Sequence, residues 1–184
     1  LVSFGERMSA RILAAHLQAE GIDSIAVDAF DAGLVTDGRP QRARPLDDVN
    51  SRIQEACKTL EGVVVATGYI ARDEEGNITT LGRGGSDYTA SIFGAALGSE
   101  EIQIWTDVDG VMTADPRIVE NARPLATLSF EEAAELAFYG ARVIHPATMI
   151  PASTRIYPFV SSIPTDRISP GRSSWRTSQR MPSG

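Results

Sequence analysis

The stretch TLGRGGSDYTASIFGAALG, Thr80–Gly98, decides the fold class. It places a glycine-rich turn directly before an alanine-rich pattern that is typical of a helix. GVVVATG, Gly62–Gly68, precedes it as a β-branched run bounded by glycines, which predicts a strand buried on both faces of a parallel sheet. EIQIWTD, Glu101–Asp107, follows as a second strand. Strand, glycine loop, helix and strand form a βαβ unit, so the sequence predicts an α/β protein with a mainly parallel sheet.

The glycine loop inside this stretch departs from two common phosphate-binding motifs. A P-loop needs Gly-Lys-Ser/Thr, but Lys58 is the only lysine in the chain and lies in a different segment. The dinucleotide fingerprint G-x-G-x-x-G also fails, because Gly82 and Gly84 are followed by Asp87 at the last position. The sequence therefore supports neither of these nucleotide-binding folds.

The residues of the glycine loop indicate a ligand of mixed charge instead. Gly84 and Gly85 allow backbone N–H groups to approach a ligand closely, and a helix that starts near Ser86 favours an anion there. Arg83 adds a planar fork for a carboxylate or a phosphate, whereas Asp87 adds a negative charge that a pure phosphate site does not need. This mixture suits an amino-acid zwitterion beside a phosphoryl group. The alternative is that Ser86 or Asp87 only caps the helix.

Hydrophobic spacing and capping residues predict further elements. These are an amphipathic helix over Gly5–Glu20, a strand over Ser24–Phe30, a helix capped by Asp47, a helix that starts at the capping box of Ser129 and Glu132, and a strand within RIYPFVSS, residues 155–162. Cys57 falls on the apolar face of the Asp47 helix. This position favours a core residue over a reactive thiol.

Composition narrows the class of protein. With 184 residues and 42% hydrophobic content, the chain can bury one core, so we expect an α/β domain over 1–160 and an irregular Ser/Pro/Arg-rich tail over 161–184. The net charge of -7 argues against a nucleic-acid surface. A single cysteine excludes an intrachain disulfide and suits the cytoplasm. No run approaches the roughly 20 apolar residues that cross a bilayer, so no membrane association is expected.

Four segments together resemble the catalytic domain of aspartate kinases, in the amino-acid kinase superfamily. They are SFGERMSA, TLGRGGSDYTA, WTDVDGVMTADPR and ELAFYGARVIHPATMIPA, and the likeness covers residues 1–171. The resemblance implies a three-layer αβα sandwich, the amino-acid kinase fold. It also implies transfer of the ATP γ-phosphate to the β-carboxylate of L-aspartate, with Mg2+ bridging the phosphates. This reaction is the entry step to lysine, threonine and methionine biosynthesis.

The same resemblance implies roles for individual residues. Glu6 would bind the substrate ammonium group and Arg83 its α-carboxylate. Asp87 would be a catalytic-site carboxylate that organises donors or metal. The acceptor pocket would be lined by Gly84, Gly85 and Ser86, and the nucleotide would be bound by Thr106, Asp107, Met112, Arg117, Arg142 and Val143. No protein residue is assigned as a metal ligand.

Simpler interpretations remain beside these roles. Glu6 could be a first-turn helix residue, Thr106 and Asp107 an ordinary strand end, and Met112 a packing residue, while His145 is expected to be structural. The family pattern also includes an N-terminal KFGG segment and the regulatory ACT domains that usually follow, and we expect neither within these 184 residues. The alternatives to an active kinase are a non-catalytic nucleotide- or aspartate-binding fragment, a regulatory subunit, or another member of the superfamily. A homo-oligomer is compatible with all of them.

Overall fold

The structure is a computed structural model that describes residues 2–105, 112–114, 117–123, 125, 127–128, 132, 135, 159–162 and 176–177. The chain divides into two compact units, Leu1–Leu97 and Gly98–Gly184. The described helices are α1 (Val2–Ala19), α2 (Val49–Cys57) and α3 (Gly85–Leu97). The described strands are β1 (Ser24–Val27), β2 (Val35–Thr36), β3 (Val63–Ala66), β4 (Ile70–Asp73), β5 (Ile78–Thr80), β6 (Ile102–Trp105), β7 (Thr127–Leu128), β8 (Phe159–Ser162) and β9 (Arg176–Thr177).

The first sheet of the first unit pairs β1 with β3 in parallel, with Ser24 beside Val63 and Val27 beside Ala66. Helix α1 packs on this pair, and the Ser24 hydroxyl donates a 2.9 Å hydrogen bond to the backbone oxygen of Ala14. The predicted α/β class with parallel strands is thereby confirmed, although the observed pairing joins β3 to β1. The predicted βαβ unit of β3, α3 and β6 stays a prediction.

The second sheet of the first unit has the order β2-β4-β5. Strands β2 and β4 are parallel, whereas β4 and β5 form an antiparallel hairpin. The Asp73 carboxylate accepts 3.0 and 2.8 Å hydrogen bonds from the backbone N–H groups of Glu75 and Asn77 in the turn. The polar segment RDEEGN, residues 72–77, therefore contains the end of β4 and the turn of the hairpin.

The core of the first unit lies between α2, α3 and the second sheet. Its buried residues are Ala29, Leu34, Val49, Ile53, Ala71, Leu81, Ile92 and Ala96. Cys57 is half-buried against this cluster, and burial raises the pKa of its thiol, which favours the unreactive neutral form. The Gln54 side-chain amide donates a 2.6 Å hydrogen bond to the backbone oxygen of Ala96 and ties α2 to the end of α3.

Two expectations are corrected within the first unit. Strand β3 is not buried on both faces of the described structure, since Val63 is 45% and Val64 37% exposed. A strand is buried on both faces only when other layers cover both sides of its sheet. Among the described strands, β3 has only β1 as a hydrogen-bonded neighbour. The residue that precedes α2 at the cap position is Asp48, not Asp47. Its side chain makes no capping bond and instead accepts a 2.8 Å hydrogen bond from Arg52.

Helix α1 is confirmed, but it buries alanines. Ala10 and Ala14 are buried, whereas Met8 and Ile12 on another face are exposed in the described structure. Small side chains allow the helix backbone to lie close to β1 and β3. None of the helices in the described part of the chain combines the length and hydropathy that a bilayer-spanning helix needs.

The second unit is described mainly by short parallel pairs. Strand β6 pairs with β8, so the strands predicted in EIQIWTD and RIYPFVSS are both confirmed, and β7 pairs with β9. Ile102 and Ile104 are buried and alternate with exposed neighbours. The helix start predicted at Ser129 lies outside the described residues. The domain boundary at residue 160 stays a prediction.

Candidate functional site

The glycine loop turns between β5 and α3 through two residues with positive φ, Gly82 at 83° and Gly84 at 66°. A Cβ atom on Gly82 would lie 2.8 Å from the backbone oxygen of Gln41, so only glycine fits there. The Gly85 N–H group donates a 3.1 Å hydrogen bond to the Gly82 oxygen and closes the turn. This differs from the expectation that the Gly85 N–H group faces a ligand, because the turn itself uses that donor.

The N-terminus of α3 offers two other donors in place of Gly85. The first helical hydrogen bond runs from the Tyr88 N–H group to the Gly84 oxygen, at 2.9 Å. No hydrogen bond with a described residue uses the backbone N–H groups of Ser86 and Asp87. Unpaired N–H groups at a helix N-terminus carry partial positive charge and favour an anion. The unpaired N–H groups at this end of α3 therefore belong to Ser86 and Asp87.

A residue that the sequence did not single out, Tyr69, fixes this helix start from the other side. Its φ is 66°, which is rare for a residue with a bulky side chain. Its N–H group donates a 3.1 Å hydrogen bond to Thr89 Oγ1, which in turn donates to the Gly85 oxygen at 2.7 Å. Its backbone oxygen accepts a 3.0 Å hydrogen bond from Leu81. The only sequence signal was its position after the glycine that ends the β3 segment.

Close backbone approach explains the glycines on both sides of this junction. A Cβ atom on Gly68 would lie 3.0 Å from the Cβ atom of Ser86, and one on Gly85 would lie 2.7 Å from the Tyr69 ring. The chain that leaves β3 therefore touches the first turn of α3. Because ligands of α/β proteins bind beyond the carboxyl ends of parallel strands, this contact places the glycine loop at a favourable edge.

The charged residues of the loop differ in exposure. Arg83 and Ser86 are exposed, while Asp87 is half-buried, and this burial raises the pKa of its carboxyl group. Burial also raises the pKa of Tyr88, and the positive charge of Arg44 partly opposes that effect. A cation beside Asp87 would stabilise its ionised form. Since Mg2+ in phosphate sites takes one or two carboxylates besides the substrate phosphates, Asp87 fits such an ion.

Glu6 lies near the carboxyl end of β1, on α1. It is half-buried, and its neighbour Arg7 forms an ion pair with Asp28 at 2.9 Å. Arg11 binds the same carboxylate at 3.2 Å, and Asp28 is only 3% exposed. We call Arg7, Arg11 and Asp28 the arginine clamp. In the described part of the chain, no hydrogen bond or ion pair joins Glu6 to Arg83, so their shared role stays a prediction.

The predicted nucleotide residues are described only in part. Thr106, Asp107, Arg142 and Val143 lie outside the described residues. Met112 is half-buried and Arg117 is exposed. Among the described residues, no three His, Cys, Asp or Glu side chains lie close enough together to hold a metal ion.

Known proteins are similar to this chain over most of its sequence. The model of the amino acid kinase family matches residues 1–159. The chain is 45% identical over 157 residues to the chloroplastic aspartokinase 1 of Arabidopsis thaliana, covering 83% of this chain and 28% of that protein. It is 42% identical over 159 residues to the lysine-sensitive aspartokinase 3 of Escherichia coli, covering 83% and 34%.

A solved structure extends this likeness to three dimensions. The crystal structure of E. coli aspartokinase III in complex with aspartate and ADP superposes with a TM-score of 0.85 at 35% identity, covering 97% of this chain and 40% of that one. The resemblance predicted from four short segments is therefore confirmed. The chain spans about a third of the length of these curated relatives.

Proposed function

The chain belongs to the amino acid kinase family, and we propose that it carries the acceptor site of an aspartate kinase. The reaction would transfer the γ-phosphate of ATP to the β-carboxylate of L-aspartate and give an acyl phosphate. The relatives are aspartokinases by name, and one was solved with aspartate and ADP. The observation that carries the proposal is the exposed Arg83 beside the open N–H groups of Ser86 and Asp87.

The acceptor requires three kinds of contact, and the proposal assigns one residue or segment to each. Arg83 binds the α-carboxylate through its planar guanidinium, and Glu6 binds the ammonium group. Gly84, Gly85 and Ser86 line the pocket in which the phosphoryl group meets the β-carboxylate. Gly84 and Ser86 are exposed, and the absence of a side chain at Gly84 leaves room for a ligand next to the backbone there.

The chemistry needs alignment and charge neutralisation more than a strong base. The β-carboxylate is ionised near neutral pH, so an oxygen of this group can attack the γ-phosphorus without losing a proton. The new O–P bond forms as the bond to ADP breaks, and negative charge collects on the transferring group. Mg2+, when bound, would neutralise charge on the nucleotide phosphates. Asp87 is the carboxylate beside the loop that would hold that ion or order its water ligands.

The remaining predictions belong to the same proposal. In this proposal the nucleotide is bound by Thr106, Asp107, Met112, Arg117, Arg142 and Val143. The reaction would be the entry step to lysine, threonine and methionine biosynthesis, in the cytoplasm. Self-association into a homo-oligomer is compatible with this function.

Ligand binding by the 184-residue chain tests the acceptor site. We expect Arg83→Ala to weaken L-aspartate binding, measured by calorimetry, on the order of 10- to 100-fold, while ADP binding changes less than twofold. Arg39→Ala is the matched control, since Arg39 is also exposed but pairs with Asp37. Equal losses for aspartate and ADP would show general unfolding and contradict the assignment.

Turnover is tested separately, because the chain spans about a third of its curated relatives. An ATP-dependent hydroxamate assay on the chain and on a full-length version should give product with aspartate. Product with glutamate or UMP, and none with aspartate, would contradict the function. Binding without turnover in both proteins would favour a non-catalytic or regulatory role.

A further inference from the structure

The arginines of the first unit fall into two groups. Most of them form ion pairs with carboxylates: Arg7 and Arg11 with Asp28, Arg39 with Asp37, Arg52 with Asp48 and Glu74, and Arg72 with Asp31. Lys58 is paired with Glu55. Arg42, Arg44 and Arg83 form no ion pair with any described residue. We call these three residues the open arginines.

The open arginines belong to two segments that lie against each other. The Ala43 N–H group donates a 3.0 Å hydrogen bond to the backbone oxygen of Thr80, at the end of β5. The Arg42 side chain lies beside the glycine loop, with its Cγ atom 3.9 Å from the Cβ position of Gly82. Arg44 is near enough to the first turn of α3 for its charge to act on Tyr88. Two cations from a separate loop thus flank the loop that carries Arg83.

The loop that carries Arg42 and Arg44 has a defined backbone. The Asp37 N–H group donates a 2.8 Å hydrogen bond to the Arg44 oxygen, and the Arg44 N–H group returns a 2.9 Å bond to Asp37 Oδ1. Thr36 pairs with Pro45 across the base of the loop. Arg39, on the same loop, differs in binding the Asp37 carboxylate at 3.3 Å. The loop therefore offers a neutralised arginine and two unpaired ones in one small segment.

We propose that Arg42 and Arg44 bind the phosphoryl group of the acyl phosphate at the acceptor loop. This inference rests on the proposed function, in which Arg83 is occupied by the α-carboxylate of the acceptor. An acyl phosphate carries close to two negative charges near neutral pH, and two guanidinium groups match that charge. Lys58 is exposed and paired with Glu55, and it follows the end of α2 that contacts the far end of α3 through Gln54 and Ala96. The open arginines are the unpaired cations nearest to the glycine loop in the described first unit.

The test measures binding of acetyl phosphate and inorganic phosphate to the 184-residue chain by calorimetry at low salt. Arg42→Gln and Arg44→Gln should each weaken both ligands on the order of tenfold. The double variant should weaken them further. Arg39→Gln is the matched control in the same loop, and its binding should stay within twofold of the unsubstituted chain. All positions are exposed, and circular dichroism and thermal unfolding check that the variants fold.

The affinity for ADP distinguishes a site for the transferred phosphoryl group from a nucleotide site. The double variant should bind ADP within about threefold of the unsubstituted chain, since ADP lacks the transferred phosphoryl group. An equal loss of ADP affinity would assign the arginines to the nucleotide and overturn the proposal. An equal loss of phosphate binding in Arg39→Gln and Arg42→Gln would indicate nonspecific screening and would also overturn the proposal. So would an absence of phosphate binding in the unsubstituted chain.

L-Aspartate binding keeps the two proposals distinguishable. If Arg83→Ala leaves aspartate binding unchanged while Arg42→Gln weakens phosphate, the acceptor assignment fails and the phosphoryl site stands. If Arg83→Ala abolishes aspartate binding while phosphate binding is the same in all loop variants, the phosphoryl site fails and the acceptor assignment stands. The two ligands are measured on the same protein preparations.

Discussion

The arginine clamp and the open arginines use the same side chain in opposite ways. In the clamp, Arg7 and Arg11 converge on the Asp28 carboxylate, which is 3% exposed. At the glycine loop, the three open arginines have no carboxylate partner among the described residues. Two arginines that share one carboxylate have part of their charge neutralised and stabilise the fold. Unpaired arginines on an ordered backbone can bind an anion. We infer that the clamp serves stability and the open arginines serve binding.

The largest expected effect comes from breaking the clamp. Asp28→Asn removes the buried charge that both arginines bind, and we expect the free energy of unfolding to fall by about 3 kcal/mol. Urea denaturation at pH 7 measures this loss. The control is Asp31→Asn, because Asp31 is exposed and pairs with Arg72 at 3.5 Å. That change should stay within about 0.5 kcal/mol, as should Arg83→Gln. Equal losses at Asp28 and Arg83 would remove the distinction between the two regions.

An intermediate effect is expected where the glycine loop depends on close packing. Gly85→Ala introduces a Cβ atom 2.7 Å from the Tyr69 ring and 3.3 Å from the Leu81 Cβ atom. We expect a loss of about 2 kcal/mol in unfolding free energy, together with weaker aspartate binding. Gly5→Ala on α1 is the control, since no atom lies within 4 Å of its new Cβ. A stable Gly85→Ala variant with full aspartate binding would show that the junction with Tyr69 does not position the loop.

The smallest effect concerns Asp87 and depends on pH. Burial raises the pKa of this carboxyl group in the folded chain above its unfolded value. As pH rises, the unfolded chain loses this proton first, so the contribution of Asp87 to stability falls between the ordinary and the raised pKa. Asp87→Asn should therefore gain stability relative to the unsubstituted chain as pH rises from acidic to neutral.

Urea denaturation at several pH values measures the difference between the two proteins. Asp47→Asn, at an exposed position before α2, is the control for a general change in net charge. A difference that does not vary with pH, or that shrinks toward neutral pH, would contradict the burial of Asp87. A cation that binds beside Asp87 would reduce the effect, because it stabilises the ionised form.

Much of the fold could be predicted because it depends on local patterns. Helical spacing predicted α1 and α2, and the β-branched run before the glycine loop predicted β3. The hairpin of β4 and β5 could not be predicted from periodicity, since its strands are only four and three residues long. The exposure of Val63 and Val64 depends on which layers cover a sheet, and residue spacing carries no information on that.

The site was predictable in its residues but not in their connections. Arg83 and Asp87 were identified from the loop itself. Arg83 is exposed and Asp87 is half-buried, and their roles stay predictions. The use of the Gly85 N–H group in the turn and the positive φ of Tyr69 depend on backbone conformation. The approach of Arg42 to Gly82 joins segments that are far apart in sequence. Neither hydrophobic periodicity nor motif spacing predicts tertiary contacts of this kind.

The pairing of β1 with β3 also affects how fast the first unit can fold. The hairpin of β4 and β5 closes a short turn, and such hairpins form in roughly 1–10 μs. Parallel pairing of Ser24 with Val63 must close a loop that contains β2 and α2, which costs more chain entropy and slows the search. Tyr69 and the glycine loop follow β3 and flank this hairpin, so we expect their final geometry to form only once β3 has found β1. Refolding monitored at Tyr69 should therefore lag behind hairpin formation.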